Sequence, residues 1–125
     1  MSVLNNETLA RFVMRKEWVR KADNTIKQDA FIPPRDLELS VTRHFGITSD
    51  ELLKIGQAVA AERSETLFGR ADILASVVRE NSLDVVSAPI ENNKNHAHII
   101  GWSAEKAAQK MIAVELAIKS IFVPA

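Results

Sequence analysis

Residues 37–63, LELSVTRHFGITSDELLKIGQAVAAER, combine a strand pattern with a helix pattern and decide the class of fold. From Leu37 to Val41, apolar residues alternate with polar ones, which predicts a half-buried β-strand. Thr48 followed by Glu51 is the spacing of a capping box, which predicts that a helix begins there. A strand that runs directly into an amphipathic helix indicates a mixed fold in which helices cover a sheet.

The helix that follows Thr48 has one apolar side that includes small residues. We expect this side to pack on the sheet, and the glycine and alanine to let another element approach closely. Its members are Leu52, Ile55, Gly56, Val59 and Ala60.

Outward from this stretch, the chain contains four more strand patterns and one long helix pattern. The strand patterns lie at residues 11–14 and in TLFGRADILAS, LDVVSAPI and HAHIIGW. Ser103 then precedes AEKAAQKMIAVELAIKSI, so residues 104–121 are predicted to form the longest helix, with Ser103 as its cap. Apolar residues recur there at intervals of four, three, four and three, and we expect that stripe to be buried. The stripe is Ala107, Met111, Val114, Ile118 and Ile121.

The order of these patterns predicts an α+β fold, with a mostly antiparallel sheet and two main helices packed on it. Residues 1–125 suit a single domain. The chain has 16 basic and 16 acidic residues, no cysteine and no long apolar run. We therefore expect a cytoplasmic protein without disulfides and without a membrane partner.

Basic residues concentrate near the N-terminus and are interleaved with Phe12 and Trp18. This segment either contacts nucleic-acid phosphates or forms a solvated face. The residues concerned are Arg11, Arg15, Lys16, Arg20 and Lys21.

His96 and His98 fall on one face of the strand HAHIIGW and are the first candidates for chemistry. A zinc site requires three or four protein ligands, and no third ligand stands at a recognisable spacing, so we expect no metal. No phosphate-binding loop or nucleophile motif occurs, so we expect no cofactor. His96, beside the polar loop ENNKN, is placed where a pocket can form, whereas His98 is expected to be packed or hydrogen-bonded within the sheet.

Arginines on two other strands complete the set of candidate catalytic residues, which is His96, Arg43 and Arg70. Arg43 falls on the apolar face at the end of its strand, where it either lines a cleft or extends to water. Arg70 shares a strand face with Asp72, which allows either an internal ion pair or a pocket lining.

The segments AFIPP, LELSVTR, GRADILASVVRENSLDVV, NHAHIIGW and EKAAQKMIAVELA, over residues 30–117, carry a resemblance. As a set they resemble a family of small bacterial proteins with an SVTR…GRADI…HAHIIGW-type pattern, most of which have no assigned activity. The family often has proline where this chain has Ser103, and a single histidine in the HAH pair. The resemblance implies a bacterial, cytoplasmic, single-domain protein and no particular reaction.

Two functions remain open from the sequence. The first is a non-enzymatic protein-interaction module in a bacterial conflict or regulatory system, with another protein as its partner. The second is a small enzyme acting on a phosphate-containing substrate, such as a nucleotide or RNA, with His96 as acid/base and Arg43 and Arg70 binding the anion. The two differ in whether these three side chains share one pocket.

Overall fold

A six-stranded sheet organises the computed structural model, which describes residues 2–125. The strands are β1 (Thr8–Val13), β2 (Leu39–Arg43), β3 (Gly69–Leu74), β4 (Asp84–Ser87), β5 (His96–Ile100) and β6 (Ile121–Pro124). They lie in the order β4-β5-β2-β1-β3-β6, and every neighbouring pair is antiparallel. The predicted α+β class and antiparallel sheet are confirmed, and β6 is a strand that the sequence patterns did not indicate.

Two main helices, α1 (Ser49–Glu62) and α3 (Lys106–Lys119), accompany a short one, α2 (Ala75–Glu80). Two 3₁₀ helices, Lys16–Trp18 and Gln28–Phe31, lie in the connection between β1 and β2. Because α1 and α3 have 14 residues each, the prediction that the C-terminal helix is the longest was wrong.

The larger core lies on one face of the sheet, where α3 and the 3₁₀ helix Gln28–Phe31 pack. Residues of five strands reach this core, at alternate positions as the period of two predicts. These residues are Leu9, Val13, Leu39, Val41, Ala71, Ile73, Val85, Ala97 and Ile99.

The opposite face carries a smaller core, in which α1 covers Ala10 and Phe12 of β1 through Leu52. Gly56 of α1 allows this approach, because a Cβ atom there would lie 2.8 Å from the Phe12 ring. The predicted close approach at a small residue of this helix is therefore confirmed. The two main helices lie on opposite faces of the sheet.

The N-termini of the two main helices differ. The Thr48 side chain accepts a hydrogen bond from the backbone N–H of Glu51, and the Glu51 carboxylate accepts one from the N–H of Thr48, so the predicted capping box is present. The N-cap of α3 is Glu105, whose side chain makes no capping bond. Ser103 lies before the helix and accepts from the Glu105 N–H, so the predicted Ser103 cap was wrong.

The predicted apolar stripe of α3 lies on the outside, which corrects the sequence interpretation. Met111 is 73% exposed and Ile118 is 67% exposed, while Ile121 lies beyond the helix in β6. The side that packs inward contains Gln109, Ala113, Leu116 and Ala117. Apolar residues occupy both sides of α3, so their spacing did not identify the inward one. We call Ala107, Met111, Val114 and Ile118 the outer α3 stripe.

Within residues 2–125, none of the helices is long and apolar enough to cross a membrane.

Candidate functional site

Arg43 ends β2 on the face of the larger core and is buried there. Its Nε donates to Glu7 Oε1 at 2.7 Å and its Nη2 donates to Glu7 Oε2 at 2.8 Å, a bidentate ion pair. The Arg43 hydrogen bond lowers the pKa of Glu7; burial opposes this, and the N–H of Leu4 supports it. Arg43 is therefore neutralised by a carboxylate of its own chain.

Arg70 lies on the other face of the sheet, in β3. Its Nε donates to Asp72 Oδ1 at 3.0 Å, so the ion pair allowed by their shared strand face is present. The Nε2 atom of His44 lies 3.1 Å from the same carboxylate oxygen. Arg70 and His44 thus share one acid, and that acid is half-buried beside α1's face of the sheet.

His96 is the first residue of β5, and a backbone carbonyl group fixes the orientation of its imidazole ring. Its Nδ1 donates to the carbonyl oxygen of Ala88 at 2.9 Å, which leaves Nε2 as the acceptor of the neutral ring. The pKa of His96 is lowered, first because burial disfavours its charged form and further because His98 and Arg63 are near; the bond to Ala88 opposes this. The imidazole is therefore held largely in its neutral form at neutral pH.

His98 lies next to His96 on the same strand face. The two rings meet edge to face with centroids 4.8 Å apart. His98 Nδ1 lies 3.9 Å from Glu38 Oε2, which is beyond hydrogen-bond distance. The hydrogen-bonded member of the pair is thus His96, and His98, which was expected to be packed or hydrogen-bonded, packs against the His96 ring.

The structure does not bring Arg43, Arg70 and His96 together. Arg43 points to the face opposite the other two. Arg70 in β3 and His96 in β5 are separated by β1 and β2, a distance of about 14 Å between strand axes at about 4.8 Å per strand. Each of the three has its own separate environment, and no pocket contains them all.

His96 lines a cleft that contains neither Arg43 nor Arg70. The cleft opens between the C-terminal end of α1, the strands β1 and β2, and the turn at Ile90–Asn93, and its empty volume is about 540 Å³. Its polar side chains include Arg11, Arg63, Glu62, Asn92 and Asn93, and its apolar ones include Phe12, Met14, Val59 and Ile90. Among residues 2–125, no cluster of three or more histidine or acidic side chains is suited to a metal ion.

A second surface of interest is the outer α3 stripe. A groove with about 610 Å³ of empty volume runs beside it, between α3 and the segment that contains Arg20 and Ile26. Val114 and Ile118 form part of this groove. The exposed charged residues of α3 are Lys106, Lys110, Lys119 and Glu115.

Among the N-terminal basic residues, Lys16, Arg20 and Lys21 line one shallow depression, whereas Arg11 is directed elsewhere. The Arg11 guanidinium donates to the carbonyl oxygens of Ala30 at 2.8 Å and Ser40 at 3.1 Å. Arg20 donates to Thr25 and to the Ile26 carbonyl. The other three side chains, Arg15, Lys16 and Lys21, are exposed, and nucleic-acid binding through this segment stays a prediction.

Two residues that matter for these sites were not singled out from the sequence. Glu7 precedes β1, and only the pairing of β1 with β2 brings it to Arg43. Arg63, the C-cap of α1, enters the cleft because α1 lies across β1. Glu7 and Arg63 are charged residues at element ends, a signal that many surface residues share.

No protein-family model matches the chain, and the comparisons with curated proteins and with solved structures gave no match either. The resemblance to small bacterial proteins therefore stays a prediction.

Proposed function

We propose that the chain is a non-enzymatic protein-interaction module that binds an amphipathic helix of another protein along the outer α3 stripe. The observation that carries this proposal is the exposure of Met111 and Ile118, large apolar residues on the outward side of a main helix. Large apolar side chains that are exposed on the same side of a helix are typical of interaction surfaces.

The spacing of the stripe suits a helical partner. Ala107, Met111, Val114 and Ile118 follow at intervals of four, three and four, which is the a/d repeat of helices that pack side by side. The groove beside Val114 and Ile118 extends the stripe laterally, so a second helix would contact apolar atoms along more than one turn.

Charge favours an acidic partner over a second copy of this chain. Lys106, Lys110 and Lys119 are exposed on α3 against the single acid Glu115, and Arg20 lines the adjoining groove. Two copies packed through this surface would bring like charges together, whereas glutamates flanking a partner's apolar stripe would pair with the lysines.

The alternative, an enzyme that uses His96 with Arg43 and Arg70, has less support. Arg43 is neutralised by Glu7 and Arg70 is paired with Asp72. An anion-binding pair of arginines around one acid/base would require both guanidinium groups at the same place. For the module, the proposed setting is the cytoplasm of a bacterium, in a conflict or regulatory system, on the basis of the missing cysteines and the family resemblance.

The test uses two designed helical peptides, about three heptads long, with leucine at the a and d positions. One peptide has glutamate at the flanking positions and the other has lysine. Isothermal titration, at concentrations where each peptide alone is monomeric, should show about tenfold tighter binding of the glutamate peptide, as several surface charge pairs provide. The double variant Met111→Gln/Ile118→Gln should lose this binding.

The matched control is Leu74→Thr/Val86→Thr, which removes two exposed apolar residues elsewhere on the sheet and should bind like the parent. Equal binding of both peptides, or binding that survives in the Met111→Gln/Ile118→Gln variant, would contradict the proposal. So would self-association that this variant abolishes, or preferential binding to vesicles of anionic lipid, since these identify a second copy or a membrane as the occupant.

A further inference from the structure

The cleft beside His96 opens where two strands separate. β1 pairs with β2 only at Leu9–Arg43 and Ala10–Thr42, although β1 continues along β3 as far as Val13. Arg11 lies at the start of this separation, and its guanidinium donates to the carbonyls of Ala30 and Ser40. The Arg11 guanidinium also lies over the Trp18 ring, 5.5 Å from its centroid, and Arg11 shares its strand face with Leu9 and Val13. This cation therefore reaches the inner end of the cleft from the opposite face of the sheet, through the gap between β1 and β2.

Positive charge in the cleft exceeds negative charge. Neither Arg11 nor Arg63 belongs to any ion pair within residues 2–125. Glu62 is the acid among the lining residues, and its carboxylate accepts a hydrogen bond from the Asn92 amide. His96 lines the same cleft, but its imidazole is held largely neutral and adds no full charge. The Arg11 guanidinium is buried, whereas Arg63 and Glu62 are exposed; because a buried cation usually has an anionic partner, the surroundings of Arg11 are suited to a bound anion.

The lowered pKa values of Arg11 and His96 agree with an excess of positive charge in the cleft. The pKa of Arg11 is lowered to about 10, first because burial removes water from its guanidinium and then because of the positive charge of Arg63. Arg63 and His98 also contribute to the lowered pKa of His96, behind burial. A bound anion between these groups would relieve that repulsion.

The remaining walls restrict the class of anion. Phe12, Met14, Val59 and Ile90 make one side of the cleft apolar. The empty volume of about 540 Å³ includes open solvent, so the enclosed part of the cleft suits only a small ligand. Because two arginines face one nearby carboxylate, Glu62, the charge balance suits a monoanion better than a dianion.

We propose that this cleft binds a small organic carboxylate, with its anionic group between Arg11 and Arg63 and its apolar body against Phe12, Met14 and Val59. A guanidinium group recognises a carboxylate through two parallel N–H donors, and Arg63 has its side chain available for this. The site is separate from the outer α3 stripe, so the two proposals stand or fall independently.

Benzoate is the probe, with benzyl alcohol as its neutral analogue and inorganic phosphate as an anion without an apolar body. Titration of isotope-labelled full-length protein, followed by amide NMR shifts, should show benzoate binding that perturbs Arg63, Asn92 and His96. Benzyl alcohol and phosphate should bind more weakly. Arg63→Gln should weaken benzoate binding by about tenfold, the change expected for loss of one charge-assisted contact.

Arg35→Gln, which removes an exposed arginine outside the cleft, is the matched control and should bind benzoate like the parent. The Met111→Gln/Ile118→Gln variant should also retain it. The proposal is overturned if benzoate does not perturb the cleft, if benzyl alcohol or phosphate binds as tightly, or if Arg63→Gln and the parent have the same affinity.

Discussion

The helices α1 and α3 have the same length, and the sequence predicted a buried apolar stripe on each, yet only one of those stripes is buried. In α1, Leu52, Gly56 and Ala60 pack inward as expected. In α3, Met111 and Ile118 of the corresponding stripe face solvent. The difference shows that a regular apolar spacing does not by itself identify the side of a helix that packs on the core.

The reason lies in how apolar residues are distributed around each helix. α1 has polar and charged residues opposite its buried side, so only one orientation buries apolar surface. α3 has a second apolar side made of Ala113, Leu116 and Ala117, and this side faces the sheet. The small alanines allow close packing there, and the larger Met111 and Ile118 remain outside. This outer side is the surface where we propose that a partner protein binds.

The largest expected effect comes from the inward sides of both helices. Leu52→Ala in α1 and Leu116→Ala in α3 should each lower the free energy of unfolding by roughly 2–5 kcal/mol, because both side chains are fully buried. Urea denaturation measures the loss. A loss below about 1 kcal/mol at Leu116 would mean that α3 does not pack through this side.

A smaller effect should separate the helix N-termini. Thr48→Ala removes the capping box of α1 and should cost about 1 kcal/mol of unfolding free energy. Ser103 lies before α3, and the N-cap side chain of that helix makes no capping bond. Ser103→Ala should therefore lower the unfolding free energy clearly less than Thr48→Ala. Equal losses in thermal or urea unfolding would contradict the assigned difference between the two N-termini.

Low pH should destabilise the first turn of α1. The pKa of Glu51 is lowered, first by its hydrogen bond from the Thr48 N–H. A carboxyl whose pKa is lower in the folded state stabilises that state above its unfolded value, here 4.5, and this contribution is lost as pH falls through the folded value. The protection factors of the amides in the first turn of α1, which are corrected for the intrinsic pH dependence of exchange, should therefore decrease below about pH 4.5, and Glu51→Gln should remove most of that dependence. An unchanged profile in Glu51→Gln would show that the carboxylate does not cap the helix.

Local sequence patterns predicted where helices and strands lie better than they predicted what each element packs against. Alternation located β2 and β3, and Thr48 with Glu51 located the start of α1, because these signals depend on residues a few positions apart. The strand β6 was missed because its four residues follow a helix pattern directly and have mostly exposed or half-buried side chains. A short apolar run of this kind continues a helical pattern as readily as it begins a strand.

The candidate site was less predictable because it depends on strand order and on which face each helix covers. The position of His96 beside a polar loop correctly indicated a pocket. Arg11 and Arg63 join it only because β1 separates from β2 and α1 crosses β1, which are long-range contacts. Arg43 lies on the opposite face of the sheet, where it pairs with Glu7, a partner 36 positions earlier in the chain.

The most direct test of the central claim, that the outer α3 stripe is not part of the core, is urea unfolding of Met111→Gln/Ile118→Gln beside the parent. Glutamine retains helix propensity, so the change removes apolar surface alone. We expect cooperative unfolding with a free energy within about 1 kcal/mol of the parent, as for two independent surface substitutions. Loss of cooperative unfolding, or a decrease comparable with that of Leu116→Ala, would place the stripe in the core and contradict the account.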